Sequence, residues 1–325
     1  MKTALYTVTY NGGFYLGRGL SLEEIFPRIA DMGFMGIEIG AKRPVASPLD
    51  LDAGARRAVR GLSARHGIEI GCVASYSNLA GPILEHREAE LVFLRETIRL
   101  AHDLEAPVVR VFAAWPGVTS RDGQTYYELA KRHTAWKDVT WLEQWTWARR
   151  CLEDAASWAE EYGVVLALQN HAPVTKTYQD TLSMIREVDS PWLKACIDAP
   201  HLADQSDEAV RAALREAGDL QVWSHFGGYA ETPDHRVIED TGEGEIAVNY
   251  PAFFRGLQEI GYTGFIAYEG CGPALVGHEY RGVEEVDRRV RIALAYMQRQ
   301  IDAAQKGTEG ASPRSSAPSE HVVSR

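Results

Sequence analysis

Residues 164–171 read Val-Val-Leu-Ala-Leu-Gln-Asn-His, a short apolar run that stops at three polar side chains. Three later stretches end in the same way, each with a potential metal ligand or acid–base group at its carboxyl end: Leu193 to Asp198, Leu220 to His225 and Phe265 to Glu269. Continuous apolar runs of this length are typical of strands that are buried on both faces of a parallel sheet. The pattern therefore predicts strands whose polar tips share one edge of a sheet.

Outward from these strands, the chain alternates strand patterns and helix patterns. Helix starts such as the Ser21 and Glu24 capping box, and helix ends such as Gly33, separate the elements. Alternation implies a parallel sheet, and eight strand–helix units in roughly 300 residues favour a closed (β/α)8 TIM barrel over a doubly wound sheet. We therefore expect a single α/β domain over residues 1–301. Residues 302–325, rich in Ser, Pro, Ala and Gly, are expected to form a disordered polar tail.

Composition argues against several classes of protein. The chain has 325 residues, a formal net charge of -11 and a sequence pI of about 5.4. Nucleic-acid-binding surfaces carry a basic excess, so we expect no nucleic acid partner. No apolar run reaches the ~18 residues of a membrane helix, and the N-terminus lacks the apolar segment of a signal peptide. The four cysteines form no C-x-x-C pair and are expected to be buried free thiols in a cytoplasmic protein.

Four polar residues at the predicted strand ends form a candidate metal site: Gln169, Asp198, His225 and Glu269. In a (β/α)8 barrel the active site lies at the carboxyl ends of the strands, and consecutive strands place these residues in one sector. An imidazole with carboxylate and amide oxygens predicts a divalent metal, with Mn²⁺ preferred and Mg²⁺, Fe²⁺ or Co²⁺ as alternatives. Each residue alone is equally typical of a helix cap or a hydrogen-bonded core group, so the prediction rests on the four together.

Two histidines near these tips are candidates for proton transfer. His171 lies two residues beyond Gln169 and faces the same side if the strand continues, and His201 follows Asp198 by three residues. A histidine with a pKa near neutral is a natural general acid or base. The alternative for both is a structural histidine that donates to a backbone carbonyl.

Other positions are candidates for substrate contacts. Residues 114–140 form a long excursion that we interpret as a lid over a ligand site, with an ordinary packed loop as the alternative. The excursion carries four aromatic residues: Trp115, Tyr126, Tyr127 and Trp136. Trp115 and Glu38, near the tip of the second strand, are predicted to contact substrate. His235 and Arg236 are predicted to bind an anionic or hydroxyl-rich ligand end, although a solvated loop charge is an equal interpretation.

The sequence resembles the sugar phosphate isomerase/epimerase superfamily, the xylose-isomerase-like barrels, over about residues 1 to 300. The motifs that carry the resemblance are Gly36 to Ile39, Leu166 to His171, Cys196 to His201, His225, Thr241 to Ile246 and Tyr268 to Gly270. In the ketose 3-epimerases of this group the four metal positions are Glu, Asp, His and Glu, and the two Glu exchange the proton. Here the first is Gln169, whose amide cannot act as a carboxylate base. His171 is then the natural replacement.

The Leu-Gln-Asn-His-x-Pro run and the stretch from Glu269 to Leu275 are similar to the catalytic α subunit of C-glycoside deglycosidases. That resemblance implies a lyase acting on 3-oxo-glycosides, with deprotonation beside the 3-keto group by His171, β-elimination of the aglycone, and a small β-type partner subunit. The aromatic excursion would suit a flat phenolic aglycone. A ketose or inositol-type isomerase or epimerase is the second hypothesis, and a non-catalytic metal- or sugar-binding subunit is the third. We also expect an oligomer.

Overall fold

Eight parallel strands form the centre of the computed structural model, which describes residues 1–118, 120–121, 124–125, 131–132, 134, 136–240 and 244–309. The strands are β1 (Lys2–Tyr6), β2 (Gly36–Gly40), β3 (Glu69–Ala74), β4 (Val108–Val111), β5 (Val165–Gln169), β6 (Leu193–Cys196), β7 (Gln221–Phe226) and β8 (Phe265–Tyr268). Each strand pairs in parallel with its neighbours in sequence, and β8 pairs with β1, so the sheet closes. The predicted (β/α)8 TIM barrel is confirmed.

Helices that connect the strands surround the barrel. They are α1 (Leu22–Met32), α2 (Ala53–His66), α3 (Leu84–Asp103), α4 (Trp141–Tyr162), α5 (Tyr178–Val188), α6 (Asp207–Ala217), α7 (Tyr250–Glu259) and α8 (Val283–Glu309). The capping box that the sequence predicts at Ser21 and Glu24 is present, and a second one opens α4 at Thr140 and Glu143. Gly163 ends α4 with a φ of 66°, a left-handed conformation that favours glycine.

The barrel interior changes character along its axis. Towards the amino end, large apolar rings fill it, and Gly36 leaves the space that the Phe265 ring occupies, since an added Cβ would lie 2.4 Å from that ring. Trp223 and Phe265 pack together there with a centroid separation of 5.7 Å. Towards the carboxyl end, the inward side chains become charged and polar. The apolar layer therefore closes the bottom of the barrel and leaves the polar residues at its mouth.

Short antiparallel strands extend the loops at the carboxyl end. A three-stranded sheet (Ala230–Glu231, Val237–Asp240 and Glu245–Val248) follows β7, and Ser77–Asn78 pairs with Ala114–Trp115 at the start of the predicted lid. Tyr126 and Tyr127 lie outside the described residues.

The C-terminal boundary differs from the predicted one. Helix α8 continues to Glu309 instead of ending at Ile301, so residues 302–309 of the predicted disordered tail are helical, and residues 310–325 lie outside the described part of the chain. The sequence between Val283 and Glu309 keeps apolar residues at helical spacing beyond residue 301, with Ile301 and Ala304 buried. Within the described residues, no helix is long and apolar enough to cross a membrane.

Candidate functional site

Asp198 and His225 meet at the carboxyl ends of β6 and β7. The Nδ1 atom of His225 lies 2.9 Å from Oδ2 of Asp198, and the backbone N–H of His225 donates to Oδ1 of the same carboxylate at 2.7 Å. The side chain of Asn170 accepts from the backbone N–H of Asp198 at 2.8 Å. Both Asp198 and His225 are buried. Three neighbouring strand ends therefore hold this carboxylate–imidazole pair in one orientation.

A buried ion pair lies behind His225. The Nε2 atom of His225 is 2.7 Å from Oε2 of Glu38, Trp223 donates to the same oxygen at 2.9 Å, and Arg110 donates to Oε1 at 2.8 Å. Burial alone would raise the pKa of Glu38, but His225 and Arg110 lower it to about 2. Burial alone would lower the pKa of His225, but the carboxylates of Glu38 and Asp198 raise it well above the ordinary value. Glu38 is therefore ionised and orients the imidazole.

The prediction that Glu38 contacts substrate is wrong in this arrangement. Its side chain has no exposed surface, and three partners occupy its two oxygens. Glu38 was predicted near the strand tip, and Arg110, which neutralises it, was not predicted as a partner. The signal for Arg110 was present, because a charge interrupts the apolar run Val-Val-Arg-Val of β4.

Gln169 joins the two halves of this network. Its Oε1 accepts from Nη1 of Arg110 at 2.7 Å, and its Nε2 donates to Oδ2 of Asp198 at 2.5 Å. A guanidinium has only donors, so Arg110 holds the amide oxygen on its own side and the amide nitrogen faces Asp198. The side chain therefore lies in the predicted cluster, but it does not present an oxygen to a cation between Asp198 and His225. The predicted ligand role of Gln169 does not fit these contacts.

A third buried side chain lies against the Asp198 and His225 pair. Among the described residues, candidate ligand atoms of Cys196, Asp198 and His225 all lie within 4.8 Å of one another. The Sγ atom of Cys196 is 3.7 Å from both Oδ1 of Asp198 and Nδ1 of His225. Burial raises the pKa of the Cys196 thiol to about 12. The sequence reasoning expected a buried free thiol here, and Cys196 is one, although its place beside Asp198 was not predicted.

Glu269 follows β8 at the same mouth but outside that cluster. It is partly exposed, and the thiol of Cys271 donates to its Oε1 at 3.4 Å. Its charge acts on Arg110 and Tyr6, which places it in the same electrostatic environment as the buried network.

Asp198 and His225 carry donor types that suit a divalent cation, and Glu269 adds a carboxylate at the same barrel mouth. When Nε2 of His225 donates to Glu38 and a cation replaces the proton that Nδ1 shares with Asp198, the lone pair of Nδ1 would face the metal, which is the usual arrangement of a carboxylate behind a ligating histidine. The charges also balance, because Arg110 compensates Glu38 while the carboxylates of Asp198 and Glu269 compensate two positive charges. Imidazole and carboxylate donors suit the metals of the Mn²⁺ and Mg²⁺ type.

His171 and His201 form an aromatic wall beside this cluster. Their ring centroids are 5.1 Å apart, and Trp115 and Phe112 lie 4.7 and 5.2 Å from the His171 ring. The Nδ1 atom of His171 is 2.7 Å from the carbonyl oxygen of Ala172, which can only accept, so Nδ1 carries the proton and Nε2 holds a lone pair. Burial and His201 lower the pKa of His171 to about 3.

His235 and Arg236 lie in the hairpin region after β7, and their described ion pairs are with acidic residues of that region. The His235 side chain is 69% exposed and pairs with Glu231, and Arg236 pairs with Asp234. The carbonyl of His235 accepts from Tyr296 on α8. These contacts match the solvated-charge interpretation, so the prediction that these two residues bind substrate does not fit the structure.

Comparison with known proteins agrees with this architecture. The chain is 24% identical over 282 residues to fructoselysine 3-epimerase of Shigella flexneri, which covers 83% of this chain and 90% of that protein. Its fold is similar to that of D-psicose 3-epimerase from Clostridium cellulolyticum H10, with a TM-score of 0.68, 18% identity, and coverage of 93% and 99% of the two chains. It is also similar to the apo form of 3-keto-D-glucoside 4-epimerase from E. coli, with a TM-score of 0.64, 19% identity, and coverage of 92% and 99%.

The family model described as xylose isomerase-like TIM barrel matches residues 26–300, which is most of the chain. The closed eight-stranded barrel and the polar cluster at its carboxyl end are consistent with that match. The chain belongs to the xylose isomerase-like TIM barrel family.

Proposed function

We propose that this chain is a metal-dependent enzyme that removes a proton from the carbon next to a sugar carbonyl. The observation that carries the proposal is the unprotonated Nε2 of His171 in the same barrel mouth as Asp198 and His225. Asn170 links His171 to the Asp198 and His225 pair, since it precedes His171 in the chain and its side chain accepts from the backbone N–H of Asp198. The relatives named above are epimerases of sugars or sugar derivatives, which supports a sugar as substrate.

Each residue then has a defined part in the reaction. A divalent metal, which we propose to be Mn²⁺, would be held by Asp198, His225 and Glu269 and would polarise the carbonyl oxygen as a Lewis acid when bound. His171 accepts the proton at Nε2. Its low pKa keeps it unprotonated at neutral pH but makes it a weak base, so it requires a carbon whose acidity the neighbouring carbonyl increases.

We further propose that the reaction is β-elimination from a 3-oxo-glycoside. Gln169 cannot take up a proton as a carboxylate does, so the site lacks one of the two carboxylate bases of a two-carboxylate epimerase. In elimination, His171 takes the C2 proton and the C2–H electron pair forms a double bond between C1 and C2. The bond from C1 to the aglycone breaks, and its electron pair leaves with the aglycone, which is protonated by solvent. The C1 bond is a carbon–oxygen or carbon–carbon bond. We include a small β-type partner subunit in the proposal.

Epimerisation of a keto sugar is the second candidate. It is favoured by the epimerase relatives, and Glu269 would supply a second base at the same barrel mouth as His171. This reaction exchanges the same type of proton but releases no aglycone.

An assay with the 3-oxo-glucoside of 4-nitrophenol in D₂O separates the candidates. Elimination releases 4-nitrophenol, whereas epimerisation exchanges the C2 proton for deuterium without release. The His171→Gln variant keeps a side-chain donor for the Ala172 carbonyl and should lose about 10²- to 10⁴-fold in either reaction. Retention of Mn²⁺ by that variant is the control for folding. If the wild-type chain, with Mn²⁺ and with or without candidate β subunits, gives neither release nor exchange, the proposal fails.

A further inference from the structure

A cavity of about 340 Å³ lies beside the carboxyl ends of β1 and β2, apart from the Asp198 and His225 cluster. This volume falls in the range of small-molecule sites. Its lining includes apolar side chains, backbone of glycine-rich loops and one lysine; the residues used below are Val8, Lys42, Pro44, Val45, Tyr76 and Val118.

Tyr76 connects the cavity to the candidate active site. It lines the cavity, and its hydroxyl lies 2.5 Å from the hydroxyl of Tyr6 inside the barrel. The Tyr6 ring is 5.9 Å from the His225 ring, and Cζ of Arg110 lies 4.8 Å from the Tyr6 centroid. This pair of tyrosines is therefore a shared boundary that places the cavity directly beside the polar network at the barrel mouth.

Lys42 is the distinctive group of the cavity wall. Its ammonium donates to the carbonyl oxygens of Val118 at 2.5 Å and Pro116 at 3.3 Å, and it lies 4.8 Å from the centroid of the Tyr76 ring. Within the part of the chain that the structure describes, no carboxylate is hydrogen-bonded to Lys42. An ammonium has three donors, so these two contacts leave a third N–H for another acceptor.

The other charges near the cavity are already compensated. Arg18 pairs with Glu24, and Arg43 pairs with Asp50. Glu90 acts on Lys42 only through space, and burial raises the pKa of that carboxyl to about 7. Among the described residues, Lys42 is thus the cation of the cavity lining that has no carboxylate hydrogen-bonded to it, whereas Arg18 and Arg43 each have one.

We propose that this cavity is a subsite for the substituent attached to the sugar, and that it takes an apolar group bearing an anionic oxygen, either phenolate or carboxylate. Val8, Val45, Pro44 and Val118 contact the apolar part, and Lys42 binds the oxygen. The link to catalysis rests on the proposed function, whereas the preference for an anion does not, because binding is measured without turnover.

A purely structural role of Lys42 makes a different prediction. If Lys42 only anchors the segment at Pro116 and Val118, its removal loosens the wall and weakens every ligand of the same shape. If Lys42 recognises an anion, its removal weakens anions and leaves neutral ligands of similar shape unaffected.

Binding of three probes to the full-length chain distinguishes these cases. The probes are 4-nitrophenolate, whose ionised form absorbs in the visible, 4-nitrobenzoate, and the neutral 4-nitroanisole. The variants are Lys42→Met and Lys42→Arg, and Lys2→Met is the matched control. Lys2 also lies over an aromatic ring, with its Nζ 4.6 Å from the Phe265 centroid, but at the opposite end of the barrel.

We expect Lys42→Met to weaken at least one anion by about 10- to 100-fold, the effect of losing a hydrogen bond to a charged group. Binding of 4-nitroanisole should change by less than about two-fold, Lys42→Arg should retain anion binding, and Lys2→Met should behave as wild type. The anion that responds identifies phenolate or carboxylate as the ligand class. Equal losses for all three probes, an equal effect of Lys2→Met, or no binding of either anion to the wild-type chain would overturn the proposal. Anion binding by a chain without activity would refute the proposed function alone.

Discussion

Replacing Gln169 with glutamate tests which hydrogen bonds the Gln169 side chain makes in the buried network. The amide nitrogen of Gln169 donates to Oδ2 of Asp198 at 2.5 Å, and its oxygen accepts from Arg110 at 2.7 Å. In Gln169→Glu the contact with Arg110 is kept and becomes an ion pair. The contact with Asp198 becomes a repulsion between two carboxylates, because the donor is gone. The variant therefore changes one end of the side chain and preserves the other.

The expected magnitude follows from these two contacts. Loss of a hydrogen bond to a charged group removes about 1.5–3 kcal/mol. Repulsion between two charges about 4 Å apart near ε = 20 is about 4 kcal/mol, and the new attraction to Arg110 is of the same order and offsets it. We expect the metal-free variant to lose about 2–3 kcal/mol in free energy of unfolding. At about 2–4 °C per kcal/mol, Tm falls by about 4–12 °C.

Addition of Mn²⁺ should reverse the sign of the stability difference between Gln169→Glu and wild type, because a divalent cation is attracted by the added carboxylate. Thermal unfolding of wild type, Gln169→Glu and the neutral control Gln169→Met is measured with EDTA and with Mn²⁺. Gln169→Glu should gain more Tm from Mn²⁺ than either of the others. Equal stability of Gln169→Glu and wild type in EDTA, together with equal gains from Mn²⁺, would refute this reasoning.

Three further predictions concern the same network. Arg110→Met leaves the Glu38 carboxylate buried without its guanidinium and should cost about 3–5 kcal/mol in urea unfolding, with much of the loss recovered in the double variant with Glu38→Gln. The pKa of Glu38 is lowered to about 2, so its ionised carboxylate stabilises the folded state above its ordinary pKa, and this stabilisation is lost as pH falls from about 4.5 towards 2. Over that interval the free energy of unfolding should fall by about 3 kcal/mol more in wild type than in Glu38→Gln. Because the pKa of His171 is lowered to about 3, kcat/KM at saturating Mn²⁺ should show no loss from protonation of this base between pH 8 and pH 5. A pH profile of kcat/KM that falls to half its maximum near pH 6.5 in wild type, but not in His171→Gln, would contradict this low pKa.

The barrel could be predicted from the sequence because its causes are local. Apolar runs, capping residues and terminal glycines mark each strand and helix, and the closed parallel topology places the strand ends together whatever the details of the side chains. The proximity of Asp198 and His225 follows from the same argument, since it depends only on neighbouring strands. The predicted end of α8 was wrong because polar residues in its last turns resembled a tail.

The orientation of side chains could not be predicted in the same way. The direction of the Gln169 amide is decided by Arg110, which lies 59 residues earlier in the chain, and the partners of Glu38 come from β4 and β7. Sequence spacing within one strand carries no information on which neighbour supplies a donor. His235 and Arg236 follow β7 closely in sequence, yet their ion pairs are with residues of the hairpin region.

Asp198 and His225 are proposed to hold one divalent cation at the barrel mouth. Titration of the metal-free chain with Mn²⁺, followed by electron paramagnetic resonance of the free ion, measures this directly. We expect one tight site per chain, weakened by more than about 100-fold in Asp198→Asn and in His225→Gln, because even changes behind the ligands typically weaken metal binding 10- to 100-fold. Absence of a stoichiometric site, or unchanged affinity in both variants, would contradict the claim.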